Sequence, residues 1–159
     1  MKEIVLKSAI GQYRLDELSD GEQTLIRKAI EATDNAYVPY SHFHVGAALM
    51  LADGRGFIGA NQENAAFPVT LCAERSAIFA AQSQCPAQPI IALAIAARNK
   101  DGLLHEPITP CGSCRQVILE IEQRYGQPVK LYLYGTSGVY VINSVKDILP
   151  LSFVDDGKL

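Results

Sequence analysis

Ile90-Ile91-Ala92-Leu93-Ala94-Ile95-Ala96-Ala97 is an unbroken apolar run of strand length, closed off by Pro89 on one side and Arg98-Asn99-Lys100 on the other. A strand with one wet face alternates apolar and polar residues; this run does not, so it predicts a strand buried on both faces at the centre of a sheet. Such a strand needs helices to cover it, and the flanking sequence offers them. Upstream, residues 71–81 are good helix formers with Pro68 just ahead, which starts a helix around Cys72. Downstream, Pro110-Cys111-Gly112 opens a helix in which Val117, Ile118 and Ile121 recur at helical spacing, and Gly126 stops it.

Farther out, residues 45–52 and 57–61 flank the turn signal Asp53-Gly54 and read as an antiparallel hairpin. Residues 129–134 and 139–142, separated by a turn at Gly135 and Gly138, complete an inventory of about five strands. Near the N-terminus, Ser19 with Glu22 three residues later forms a capping box, and Leu25, Ile26, Ala29 and Ile30 share one face. A first helix over residues 19–36 follows, before Pro39 imposes extended geometry. A hairpin followed by alternating helix and strand gives an α/β protein: a mixed sheet with helices packed on it. With no repeat, low-complexity tract or linker, residues 1–159 read as one domain.

Composition narrows the function. At 48% hydrophobic residues the chain can bury a core, which excludes disordered and collagen-like classes. Fourteen Lys and Arg against 17 Asp and Glu give a net charge of -3, with the basic residues scattered, so no surface is built to grip a nucleic acid polymer. The apolar runs fall far short of the roughly 18 to 20 residues of a membrane span. Met1-Lys2-Glu3-Ile4 does not resemble a secretory leader. The expectation is a cytoplasmic protein whose four cysteines stay reduced.

Chemistry concentrates in Cys72-Ala73-Glu74 and Pro110-Cys111-Gly112-Ser113-Cys114, each at the start of an expected helix. Cys111 and Cys114 lie on adjacent turns and can bind one ion; Cys72 supplies a third sulfur and leaves one tetrahedral position open, as in catalytic rather than structural zinc sites. Two helix N-termini and Arg75 partly offset the negative charge of three thiolates. Glu74, two residues past a ligand, can serve as a proton carrier without being a ligand itself. Zinc lowers the pKa of a bound water to about 7, and the combination suits hydrolytic attack on a ring carbon bearing an amine.

The sequence resembles the small cytidine deaminases of pyrimidine salvage over residues 37–153. The matching stretches are Pro39-Tyr40-Ser41-His42-Phe43, Val45-Gly46-Ala47-Ala48-Leu49, Asn61-Gln62-Glu63-Asn64-Ala65, the two cysteine motifs extended to Arg75 and Gln116, and Leu149-Pro150-Leu151-Ser152-Phe153. The resemblance implies a three-layer α-β-α sandwich, one Zn2+ per chain on Cys72, Cys111 and Cys114, and Glu74 as the catalytic group. It also implies a cytidine or 2′-deoxycytidine substrate whose base packs on Phe43, whose ribose hydroxyl is held by Asn61 and Glu63, and whose carbonyl meets the backbone of Ala73. Arg75, Phe67 and Phe153 are supporting positions. The all-cysteine ligand set implies the homotetrameric branch, in which subunits share active sites. Thr70 stands where Gly is usual, Phe67 where Tyr is common, and His44 where Pro or a basic residue is frequent.

Other readings of the same residues stand beside this one. Cys111 and Cys114 alone fit a redox pair or half of a structural zinc site, although a redox pair gives Cys72 no role. A structural site needs a fourth ligand from Cys85, His42 or His105. A non-catalytic zinc-stabilised scaffold, or a deaminase of altered cytosine nucleosides, would keep the same motifs.

Overall fold

The structure, a computed structural model, describes residues 1–155. Its strands are β1 (Gly11–Tyr13), β2 (His44–Leu51), β3 (Gly56–Ala60), β4 (Ile90–Asn99), β5 (Gly102–Leu103), β6 (Lys130–Gly135) and β7 (Gly138–Ile142). They form one mixed sheet of order β1-β7-β6-β4-β2-β3, with β5 paired to β4. The apolar run is the central strand as expected: β4 runs parallel to β6 and antiparallel to β2. The hairpin of β2 and β3 is also in place. The sheet has seven strands rather than about five. The two additions are very short, β1 paired along the β7 edge and β5 folded back on the end of β4, and neither is long enough to carry a period-2 pattern.

Three helices cover the sheet: α1 (Asp20–Ala32), α2 (Ala73–Gln84) and α3 (Gly112–Tyr125). The alternation of β4 sorts them. Leu93 and Ile95 pack with Ala77, Ile78, Ile118 and Leu119 of α2 and α3, whereas the smaller Ala94 and Ala96 meet Leu25, Ile26 and Ala29 of α1. The result is the three-layer sandwich. α1 is shorter than the expected 19–36: the backbone tightens into a 3₁₀ turn at Thr33–Asn35, and the Thr33 hydroxyl donates back to the Ile30 carbonyl at 2.7 Å.

Two glycines let helices touch strands backbone to backbone. A Cβ on Gly46 would come within 2.1 Å of the Ala29 carbonyl oxygen of α1, and one on Gly59 within 2.4 Å of the Ala73 carbonyl oxygen of α2. The Gly59 contact seats the first turn of α2 directly on β3.

α1 is fixed to the sheet by a carboxylate. The Ser19 hydroxyl and backbone N–H both donate to Glu22 Oε2, closing the capping box, while Lys130 Nζ and the Tyr132 hydroxyl of β6 donate to Oε1 at 2.8 and 2.5 Å. Partial burial raises the Glu22 pKa, but the donations from Lys130, Tyr132 and Ser19 outweigh it and bring the pKa down to about 2 from 4.5. A carboxyl with a lowered folded-state pKa stabilises fully above 4.5 and loses that contribution as pH falls toward 2. Glu22→Gln should therefore cost about 1 kcal/mol at pH 7. Urea unfolding across pH 7 to 2 should show the gap between the two proteins closing as the solution is acidified; a gap independent of pH would contradict this role.

Candidate metal centre and active site

Cys72 and Cys111 occupy the N-cap positions of α2 and α3 in extended backbone conformation. N-caps are commonly Ser, Thr, Asp or Asn because the side-chain oxygen accepts a backbone N–H. Neither cysteine makes such a bond, so both sulfurs are free to point elsewhere. They point at each other, 3.8 Å apart, and Cys114 from the first turn of α3 completes a trio whose sulfurs all lie within 4.8 Å. Cys85, His42 and His105 lie outside this group, as does the Glu74 carboxylate.

The electrostatics favour an ionised sulfur at Cys72, while the hydrogen bond to Cys72 and burial push the Cys114 thiol up. The Cys114 thiol donates to Cys72, which lowers the Cys72 pKa against the opposing effect of burial, and the Arg75 guanidinium, Nη2 to Sγ at 3.3 Å, lowers it further. Arg75 thus lies against the Cys72 sulfur. Glu74, 5% exposed, follows Ala73 in the first turn of α2. Burial pushes its carboxyl pKa up, against its own backbone N–H, and the neighbouring Cys72 charge adds to the rise.

A cavity of about 210 Å³ is lined by Cys72 and Cys111 of the trio, by Ala73 and Glu74, and by the polar Asn61 and Glu63. Backbone pairing places these polar residues: Gln62 exchanges hydrogen bonds with Leu71, and Glu63 N–H donates to the Tyr37 carbonyl. Glu63 Oε2 accepts from the Tyr40 and Ser41 N–H groups at 2.9 and 3.2 Å. Asn61 accepts from Val45 N–H at 2.8 Å and donates to the Phe43 carbonyl at 2.9 Å, so it braces the Phe43 backbone as well as facing the cavity.

A sequence profile described as the cytidine and deoxycytidylate deaminase zinc-binding region matches residues 19–125. The chain belongs to this family. It is 43% identical over 131 residues to a cytidine deaminase of Halalkalibacterium halodurans, covering 82% of this chain and 92% of that one. It is 40% identical to a cytidine deaminase of Sporosarcina psychrophila, covering 82% and 90%. The crystal structure of cytidine deaminase from Burkholderia pseudomallei superposes with a TM-score of 0.70 at 39% identity, covering 82% of this chain and 97% of that one.

The cysteine trio fits the zinc that the family name specifies. A tetrahedral ion with Zn–S bonds of about 2.3 Å holds its sulfurs about 3.8 Å apart, the separation found between Cys72 and Cys111. Among the described residues no fourth side chain joins the group, which argues against a closed structural site.

Several sequence candidates fall outside the cavity wall of a single deaminase chain. Phe43 is half-buried at the entry to β2. Phe67 is 68% exposed and meets Tyr40 edge to face, with ring centroids 5.7 Å apart. Phe153 is 69% exposed, its carbonyl accepting from Gln116 Nε2 at 2.9 Å. Other wall residues carry no assigned role in the sequence: Val45 lies in a matching stretch and Leu71 in an expected helix, Thr70 stands out only as a departure, and Ile108 and Thr109 give no signal. Thr70 closes the loop after Glu63 by accepting from Asn64 N–H at 3.3 Å. Removing one sulfur should separate ligand from bystander: Cys114→Ala should retain under about a tenth of the wild-type zinc, whereas Cys85→Ala should retain all of it. Metal analysis of the purified proteins checks this, and equal loss in both would contradict the three-sulfur site.

Proposed function

We infer that the chain is a zinc-dependent cytidine deaminase, converting cytidine and 2′-deoxycytidine with water to the uracil nucleosides and ammonia in pyrimidine salvage. The observation that carries this reading is a single cavity lined by two of three converging sulfurs, by the buried Glu74 carboxyl, and by the hydrogen-bonding Glu63 carboxylate and Asn61 amide. Bound by Cys72, Cys111 and Cys114, zinc supplies a water acidified to near neutrality.

The protein groups then have separate tasks. Glu63, with Oε2 held by two backbone donors, keeps Oε1 for a sugar hydroxyl, and Asn61 retains an amide proton for the same group. Phe43 provides a face for the base, and the backbone at Ala73 meets the pyrimidine carbonyl. Glu74 takes a proton from water as its oxygen adds to C4 and passes it to N3; it then takes the second proton from the new C4 hydroxyl, which becomes the carbonyl, and delivers it to the departing amino group as the C4–N bond breaks. A carboxyl whose pKa is raised by burial can hold and release protons near neutral pH more readily than an exposed one. Glu74→Gln should keep its zinc while turnover falls about 10²- to 10⁴-fold. Retention of full activity would remove Glu74 from this role.

The assembly is proposed to be a homotetramer with shared sites. One chain encloses only about 210 Å³, below the ~300 Å³ at which small-molecule pockets usually begin, and Phe67 and Phe153 stand largely bare. Sedimentation should give four chains per particle, and a fully active monomer would contradict the sharing. The soluble salvage role is assigned to the cytoplasm, which suits four unpaired cysteines and the lack, among the described residues, of a helix long and apolar enough to cross a membrane.

A further inference from the structure

Arg115 follows Cys114 on α3, in the first turn of the helix. A cation there faces the positive end of the helix dipole, so its placement calls for another source of stabilisation. The guanidinium donates from Nε to the Pro110 carbonyl at 2.8 Å, from Nη2 to the Thr109 hydroxyl at 3.1 Å, and from Nη1 to the Ile148 carbonyl at 2.6 Å. Two of these acceptors belong to the loop that forms part of the cavity wall and ends at Cys111. The third lies 33 residues along the chain, past β7. The next residue, Gln116, adds the bond to the Phe153 carbonyl.

We propose that Arg115 is a positioning residue for the deamination, a three-point clamp that fixes both the Ile108–Thr109 cavity wall and the C-terminal segment to the metal-bearing turn of α3. The proposal rests on the deaminase reading given above. The loop from 106 to 110 belongs to no helix or strand, and Pro110 has no N–H to donate, so side-chain donors must hold what a backbone ladder does not. A planar guanidinium can reach three oxygens in fixed directions at once; an ammonium is a single point with three rotatable protons. The wall touches the bound nucleoside, whereas the sulfurs and Glu74 are held by α2 and α3 themselves. Loss of the clamp therefore weakens binding more than chemistry.

Arg115→Ala and Arg115→Lys, compared with wild type, test this by hydrogen exchange over residues 104–110 and 148–155, zinc content, and cytidine kinetics. In the alanine variant zinc should stay at the wild-type level and exchange in both segments should quicken about tenfold, with KM rising about tenfold and kcat changing less than about threefold. The lysine variant should fall between, and it carries the same test should the alanine variant fail to fold. Unchanged exchange in either segment overturns the clamp. Faster exchange with an unchanged KM, or loss of zinc in step with activity, overturns its positioning role. A wild-type protein inactive on cytidine would sink the deaminase reading instead, while the exchange result would still decide whether the clamp exists.

Discussion

Three sulfurs from two helices must meet within a few ångströms, and the fold is arranged around that requirement. Each helix contributes a cysteine at the N-cap, where the chain is still extended and the side chain can project past the helix end. The same position supplies partial positive charge from unpaired N–H groups, which makes ionised sulfur less costly. The meeting is possible only because α2 sits directly on β3 at Gly59 and because α3 forms the crossover between the parallel strands β4 and β6. A methyl group at Gly59 would collide with the Ala73 carbonyl and Ala77 N–H and push the first turn of α2, with Cys72 and Glu74, off β3.

Around this point, charge is handled by specific partners rather than by solvent. Arg75 reaches the Cys72 sulfur, and Glu74 is buried so that its carboxyl holds a proton more tightly than an exposed one. In the cavity wall Glu63 is held by the Tyr40 and Ser41 backbone N–H groups and the Ser41 side chain, which keep its carboxyl below the usual carboxylate range. Asn61 couples the two ends of the entry loop, tying Phe43 and Val45 to the strand end that leads to Glu63. One cavity thus holds Glu74 and two of the sulfurs together with the Asn61 and Glu63 side chains.

Much of this was legible in the sequence. The run from Ile90 identified the central strand because nothing but burial on both faces explains it, and the Ser19 and Glu22 pair marked the start of α1 through a local capping rule. The cysteine motifs pointed to the metal centre because a shared ion gives Cys72 a role that a redox pair of Cys111 and Cys114 does not. What stayed hidden was nonlocal. β1 and β5 exist only because neighbouring strands offer them partners, and Glu22 meets Lys130 and Tyr132 across more than a hundred residues. Arg115 stood inside a recognised motif, but its partner at Ile148 is set by how the chain returns after β7. Phe67 and Phe153 were singled out by resemblance, and a single chain leaves both rings exposed, so their surroundings depend on what lies beside it.

As proposed, these sulfurs and Glu74 form a hydrolytic centre for cytosine nucleosides. The most direct measurement follows cytidine with the zinc-loaded protein before and after chelation, quantifying uridine and ammonia in the same reaction. The two products should appear in equal amounts, with formation stopping when the metal is withdrawn and resuming when zinc is restored. A fully loaded protein that leaves cytidine intact, or one whose activity is indifferent to chelation that strips its zinc, would contradict the proposal.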